Sequence, residues 1–512
     1  MVAIILAAAA AIGPRALPAG AAADGEVTIL GGAPSSLDPA AQGDSTSAAV
    51  TAQLYESLTA FDPSLTLRPA LAESWRIEED GLRVVLTLRP GLSFSDGTPL
   101  TAEDVVRSWH RVIDPERPSP LASLMLDVEG VEARLSGSAG PDAVGFRAEG
   151  SDVVVDLVRP GGDFPAIVAG PTFAVVPPGA DDPSDFDVDG FVGSGGYVLS
   201  RATDEELTLT ANERYWAGMP RIGTVHLLTD IGGRSPVDQF TDGQLDYTPI
   251  GQADAAWIRY DRDLGPALRE VPSLSLEYLG FDTSRPPFDD VRVRQAFGQA
   301  VDWTRIVQFS TPDAALPATS MVPPGIPGRS EESFLPVHDP DAARALLAEA
   351  GYPGGRGFPK VTYLTGGSAY AEGILADLER ELGLRPRFRT TNFDELFARL
   401  PVDPPPMWSL GWVADYPGRK DFLGVLLRTG VTNNYSRWSS AAFDAAIDAA
   451  GSTTDPVDAS AAYDEAEAII QQEVPLVPLA YGTGWALSRD GLLGAGQNGL
   501  GIIRMAGLAW SE

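Results

Sequence analysis

The chain has 512 residues, 44% of them hydrophobic, and carries 70 acidic against 37 basic side chains, a formal net charge of −33. That length exceeds what one core supports and implies several domains of roughly 100 to 200 residues; the charge repels phosphate backbones and anionic lipid surfaces, which argues against nucleic acid as a partner. Cysteine is absent and histidine is confined to His110, His226 and His338, so the chain has no disulfide framework, no thiolate nucleophile, no cysteine-based zinc site and no metal-ligand spacing.

Residues 1–23, "MVAIILAAAAAIGPRALPAGAAA", open with an apolar run of about a dozen residues, shorter than the roughly 20 a membrane-spanning helix needs. The run resembles the core of a secretory leader, with Ala21 and Ala23 suited to cleavage before Asp24. No basic residue precedes it, and without cysteine a lipid anchor is not supported.

After the leader, Val27 to Leu30 reads as a strand entering a polar turn at Pro34 to Pro39. "TSAAVTAQLYESLTAF" spaces Ala48, Ala52, Tyr55 and Leu58 at helical intervals. "RVVLTL" alternates as a half-buried strand after a turn at Asp80-Gly81, and Thr101 followed by Asp104 predicts a capped helix carrying Trp109 into a core. "SDVVVDLVRP" is another strand, and the Gly-, Pro- and Asp-rich "AVVPPGADDPSDFDVDGFVGSGGYVLSR" predicts a boundary or crossing loop. Two strands surround the aromatic turn of "LTLTANERYWAGMPRIGTVHLLT", and "VDQFTDGQLDYTPI" predicts a helix ending near Gly243, then a strand. Beyond it, "DDVRVRQAFGQAVDWTRIVQFS", "DPDAARALLAEAGY" and "YAEGILADLERELGL" show apolar helical spacing, with "FPKVTYLTG" and "RPRFRTTN" as strands between helices. In the first of these, Arg292 and Arg294 read as surface ion-pairing residues. Two helices and a strand close the pattern, making this a mixed α/β chain.

No GxSxG elbow, HExxH helix or GxxxxGK phosphate loop is present. The chemically densest stretch is "GWVADYPGRKDF", residues 411–422. Asp415, between Trp412 and Tyr416, offers a carboxylate for a charge-assisted bond to an ammonium and aromatic faces that favour cations. The same residues also suit an ordinary exposed turn. No second catalytic group stands near Asp415 in sequence to make it a general acid or base.

Taken in order, "SLDP", "LYESL", "LAESW", "LRPGLSFSDGTPLTAEDVVRSW", "NERYWAG", "PPFDDVRVRQAFGQAVD", "DPDAARALLAEAGYP", "GWVADYP" and "VPLVPLAY" span residues 36–481. The set closely resembles solute-binding protein family 5, which serves ATP-binding-cassette importers of oligopeptides, dipeptides and nickel, and "HRVIDPERPSPLAS" looks most like its oligopeptide-binding branch. The resemblance implies an α/β, two-lobed periplasmic-binding-protein-like clamp (type II, cluster C) with an extra domain inserted in the first lobe. It places lobe I at 24–56, 179–273 and 482–512, the extra domain at 57–178 and lobe II at 274–481, with hinge crossings near 273 and 481.

The same resemblance implies a monomeric, secreted or extracytoplasmic binding protein rather than an enzyme, with no cofactor. Its partners would be an oligopeptide or related small solute and the permease and ATPase subunits of an importer. In peptide-binding relatives the aspartate matching Asp415 pairs with the peptide's amino terminus. Gly411 and Trp412 match groove-lining positions, Phe393 falls where relatives carry a tryptophan over a side-chain pocket, and Tyr278 and Tyr481 fall on ligand-contacting strands. The chain departs from the family pattern at Gly418-Arg419-Lys420, where an Asp-Pro pair is common, and at Ser409, Gly43 and Gly280, where an oligopeptide-binding relative has charged residues. Within the fold a nickel complex, sugar, opine or other non-peptide solute is the alternative ligand; outside it, a secreted hydrolase or a sensor presenting ligand to a receptor is the alternative function.

Overall fold

The computed structural model describes residues 25–180, 188, 190–311, 315–453 and 455–511. The leader-like segment 1–23 and residues 181–187 of the predicted Asp-rich loop lie outside them.

Eleven strands form one long sheet: β1 (Glu26–Leu30), β2 (Tyr197–Ala202), β3 (Glu206–Ala211), β4 (Thr224–Leu228), β5 (Tyr247–Ile250), β6 (Leu268–Phe281), β7 (Ala315–Pro317), β8 (Thr362–Thr365), β9 (Arg387–Thr390), β10 (Met407–Val413) and β11 (Leu476–Ser488). Their order is β9-β8-β10-β6-β11-β5-β1-β4-β3-β2, with β7 added on β11. β1 shows the physical basis: Val27 and Ile29 point into a core while Glu26 and Thr28 alternate outward. β1 runs parallel to β4 and β5, and β8 runs parallel to β9 and β10.

The two halves of the sheet meet at β6 and β11, strands of 14 and 13 residues paired antiparallel. Their register breaks between Pro272 and Leu276 and shifts again between Glu277 and Tyr278. Proline has no N–H to give to a ladder, so a break beside Pro272 is expected. Val27, Ile29, Leu209 and Val225 belong to a core on the β1 side of this break, and Phe281, Phe288, Phe297 and Tyr363 to one on the β8 side.

A separate four-stranded antiparallel sheet is built from Ala72–Glu78, Arg83–Leu88, Asp152–Asp156 and Phe146–Glu149. Against it packs the second of four helices named here, α1 (Ser45–Leu54), α2 (Ala102–Val112), α3 (Arg419–Leu427) and α4 (Pro456–Glu473). At the start of α2 the Thr101 backbone N–H donates to Asp104 Oδ2 at 2.9 Å, the expected cap. Trp109 is fully buried, meets Phe146 edge-on at 5.6 Å and donates its indole N–H to the Phe173 carbonyl at 3.1 Å.

Two local expectations need correction. The helix read from "TSAAVTAQLYESLTAF" stops at Leu54 and buries Ser47, Val50, Thr51 and Leu54 rather than the Ala48/Ala52 face; Asp44 sets its register by accepting from the Ser47 N–H at 2.8 Å. Arg294 is not a surface ion-pairing residue: it is 4% exposed and donates to the carbonyls of Glu473 at 2.8 Å and Phe288 at 2.7 Å, tying its helix to the end of α4.

Candidate ligand-binding site

In α/β sheets, ligands sit in the crevice outside the carboxyl ends of parallel strands. Here there are two such edges. On one side the ends of β1 and β5 and the start of α1 enclose a cavity of about 240 Å³ lined by Gly31, Ser45, Thr46, Tyr247 and Gln497 among others. On the other side β8, β9 and β10 end at Thr365, Thr390 and Val413. Gly411 and Trp412 lie at the end of β10, Asp415 just past it, and Phe393 opens the helix that follows β9. Four of the six site residues predicted from sequence therefore converge on one sheet edge, although the Phe393 side chain lies outside the described part of the structure.

That edge is open. β8 stops at Thr365, opposite Ser409, while β10 runs on to Val413. Among the described residues no strand lies beside Leu410 to Val413 on the β8 side, and Gly411 and Val413 are exposed. Such an edge offers backbone donors and acceptors to an extended chain.

The charge arrangement is unusual for this protein. Among the described residues the buried carboxylates of Asp38, Glu56, Asp104, Asp282, Asp377 and Glu467 each have an arginine nitrogen between 2.5 and 3.4 Å away. Asp421, in the first turn of α3 and completely buried, has no cation within ion-pair distance among the described residues. Its Oδ2 accepts from the Trp412 indole N–H at 3.0 Å and from the Asp415 backbone N–H at 3.2 Å, and its Oδ1 has no partner. Asp415, half-buried beside it, makes no ion pair or side-chain hydrogen bond among the described residues. Burial pushes both carboxyls above the ordinary carboxylate range, and the neighbouring Asp415 charge adds to the rise at Asp421. Ionising buried carboxylates without a counter-charge costs several kcal/mol per ion; an arriving cation would supply that counter-charge.

The cations flanking this pair are committed elsewhere. Arg419, 3% exposed, reaches α4, with Glu467 and Asp464 each at 2.6 Å. Lys420 crosses to Asp127 at 2.5 Å, next to the four-stranded sheet, and the Tyr416 hydroxyl donates to Asp163 at 3.0 Å. "DYPGRKDF" is thus not an exposed turn: Tyr416 and Pro417 are buried and the segment is pinned on three sides. A cavity of about 300 Å³ beside Lys420 is lined by Asp127, Arg159 and Arg428, but its charges satisfy one another, with Asp127–Lys420 at 2.5 Å, Arg159–Asp127 at 3.4 Å and Arg428–Asp448 at 2.7 Å.

The remaining two predicted residues sit deeper. Tyr278 on β6 is 2% exposed and packs in the core. Tyr481 on β11 is 3% exposed; its hydroxyl accepts from the N–H groups of Thr319 at 3.1 Å and Ser320 at 2.9 Å and donates to the Ser320 carbonyl at 2.9 Å. It fastens the 319–320 segment to the central strand.

The departures from the family pattern have local causes. A Cβ at Gly280 would lie 2.5 Å from the buried Trp408 indole, and one at Gly43 would lie 2.9 Å from Pro120. Ser409 is buried and bonded to the Tyr363 hydroxyl at 2.6 Å.

Asp421 was not found by sequence reasoning. As an acid in a helix's first turn it reads as a partner of the helix dipole, and only the return of α3 onto β10 brings it under Trp412. Glu277 on β6 was missed for a similar reason: it faces Gly411 across the β6–β10 ladder.

Comparison with known proteins gives the family. Residues 66–434 match the model of the bacterial extracellular solute-binding proteins, family 5 Middle. The probable deoxycholate-binding periplasmic protein YgiS of Escherichia coli is 29% identical over 464 residues, 88% of this chain and 86% of that protein. The glutathione-binding protein GsiB of Salmonella typhi is 28% identical over 484 residues, 91% of this chain and 90% of that protein. The solved murein tripeptide binding protein MppA of Escherichia coli superposes with a TM-score of 0.80 at 25% identity, covering 96% of this chain and 99% of that one. With its two-lobed α/β fold and a family match over most of its length, the chain belongs to the bacterial extracellular solute-binding proteins of family 5.

Proposed function

We propose that the protein is the extracytoplasmic substrate-binding component of an ATP-driven importer, that it holds oligopeptides by their free amino end, and that it passes them to permease and ATPase subunits as a monomer. The carrying observation is the Asp415–Asp421 pair at the end of β10: Asp421 is held by the Trp412 indole and by the Asp415 backbone N–H, and neither carboxylate has a cation among the described residues. The ligand's ammonium would complete the site, with Gly411 and Trp412 beside it and the free edge of β10 taking its backbone. As a member of a solute-binding family the chain binds rather than transforms its ligand. Among the described residues no helix is long and apolar enough to cross a membrane.

The lobes meet, in this reading, at the register break of β6 and β11, close to residues 273 and 481, with the four-stranded sheet and α2 in the extra domain. Relatives named for glutathione and for deoxycholate show that family membership alone leaves the ligand open. The electrostatics favour an amine, since an anionic solute would add negative charge beside two uncompensated acids.

The test is calorimetric titration with a tetrapeptide and its amino-acetylated form. Asp415→Ala removes a charge-assisted bond of about 1.5–3 kcal/mol, so binding of the free-amine peptide falls by roughly 10- to 150-fold while the weak binding of the acetylated peptide stays put. Equal losses for both peptides would remove the amine assignment.

A further inference from the structure

A third acid without a cation among the described residues lies one strand in from that open edge. Glu277 is half-buried on β6, directly opposite Gly411 of β10. Among the described residues the only hydrogen-bond partner of its carboxylate is the Ser368 hydroxyl, which donates to Oε1 at 2.5 Å from the loop after β8, and no lysine or arginine there pairs with it. Because the residue across the ladder is glycine, no side chain covers the carboxylate from that direction; even a Cβ added at Gly411 would meet nothing nearer than the Leu276 carbonyl at 4.0 Å. β10 ends at Val413 and the chain then bends to Asp415, so at about 3.3 Å per extended residue the four positions from Gly411 to Asp415 put Glu277 at most about 13 Å along the edge from the amine site. An extended peptide covers that distance in about four residues, fewer if a long side chain reaches back.

We propose that Glu277 and Ser368 form a cation subsite that takes a lysine- or arginine-type side chain from within the first few residues of the bound peptide. The inference rests on the amino-end reading of Asp415 and narrows its substrate class to basic peptides. Gly411 makes the opening, Ser368 orients the carboxylate, and the free edge of β10 sets the distance. Burial keeps the Glu277 carboxyl above its ordinary range, as expected of an acid waiting for a counter-charge. The same arrangement offers nothing to a carboxyl-terminal carboxylate at this distance from Asp415, so a short peptide ending here is disfavoured.

The experiment is a titration of the full chain with tetra-alanine and pentapeptide analogues carrying a single lysine at the second, third, fourth or fifth position, each matched by norleucine. Lysine at one of these positions binds at least 10-fold more tightly than norleucine there, and Glu277→Gln, which keeps an oxygen for Ser368, removes that gain without weakening tetra-alanine. No lysine gain at any position, or a gain that survives Glu277→Gln, overturns the subsite. The Asp415 reading is scored separately: if acetylating the amino end leaves affinity unchanged while the lysine gain persists and depends on Glu277, the amino-end anchor is wrong and the cation subsite stands.

Discussion

Replacing Arg419 by leucine removes the only cation among the described residues within ion-pair distance of the buried Glu467, whose side chain is 1% exposed. It also strips donors from the carbonyls of Gly328, at 2.9 Å, and Ser460, at 3.2 Å. Asp464, the other partner, is 37% exposed and is re-solvated at little cost. Breaking a buried pair by deleting one side costs about 3–5 kcal/mol, mostly from the charge left behind. For a cooperative unit of about 200 residues each kcal/mol lowers Tm by roughly 2–4 °C, so Arg419→Leu lowers the melting temperature of the ligand-free protein at pH 7.5 by about 6–20 °C, read by far-UV circular dichroism. Two controls isolate the cause. Arg419→Leu combined with Glu467→Gln recovers most of the loss. Burial already holds the Glu467 carboxyl above its ordinary range, and losing Arg419 raises it further. An acid whose folded pKa is raised penalises the fold above that pKa and is relieved as pH falls through it, so the deficit of Arg419→Leu shrinks at pH 5. A shift under about 2 °C, or a deficit untouched by Glu467→Gln, would refute a structural role for Arg419.

Binding of amine ligands should gain strength with pH from about 5 toward neutrality and weaken above about 8, where an α-amino group loses its proton. The sign follows from the raised Asp415 and Asp421 carboxyls: the bound ammonium favours their ionised form, so binding expels a proton, while Arg419 and Lys420 stay engaged with Glu467 and Asp127. Calorimetry in buffers of different ionisation enthalpy measures that proton, and its absence at pH 6 would contradict the scheme. Lys420→Met breaks a pair whose side chains are 19% and 21% exposed, between the exposed and buried regimes. At about 1–2 kcal/mol it raises ligand dissociation roughly 5- to 30-fold without touching the amine site. Stopped-flow tryptophan fluorescence reads the rate, and an unchanged rate would show that the Lys420–Asp127 pair does not help retain ligand.

Much of the architecture was legible in the sequence because local rules agreed with tertiary packing. The Thr101–Asp104 cap and Trp109 in its core follow from spacing alone; "RVVLTL" is a strand as expected, but Val85 is buried along with Val84, Leu86 and Leu88, so it is covered on both faces rather than half-buried. The Ser45–Leu54 helix shows the limit: its buried face contains Ser47 and Thr51, polar residues made burial-tolerant by local bonds, Ser47 accepting from the Ser35 N–H at 2.8 Å and Thr51 donating to the Ser47 carbonyl at 2.9 Å. At the site, Asp415, Gly411 and Trp412 were identified by resemblance and do lie together at one strand end. Asp421 and Glu277 were illegible because their meaning is relational. An acid's charge is unremarkable until the fold shows that no cation accompanies it. Arg294, Arg419 and Lys420 show the converse, being surface-like in sequence and committed to buried carbonyls or carboxylates in the fold.

The first turn of α3 places three consecutive side chains against three different bodies: Arg419 on α4, Lys420 on Asp127 and Asp421 beneath Trp412. A helical turn is stiff, so these contacts cannot adjust independently. A ligand that shifts Asp421 would therefore also shift the seating of Lys420 on Asp127, next to the four-stranded sheet. On the proposed binding reading, substitutions at Asp127 are expected to change how long cargo is retained.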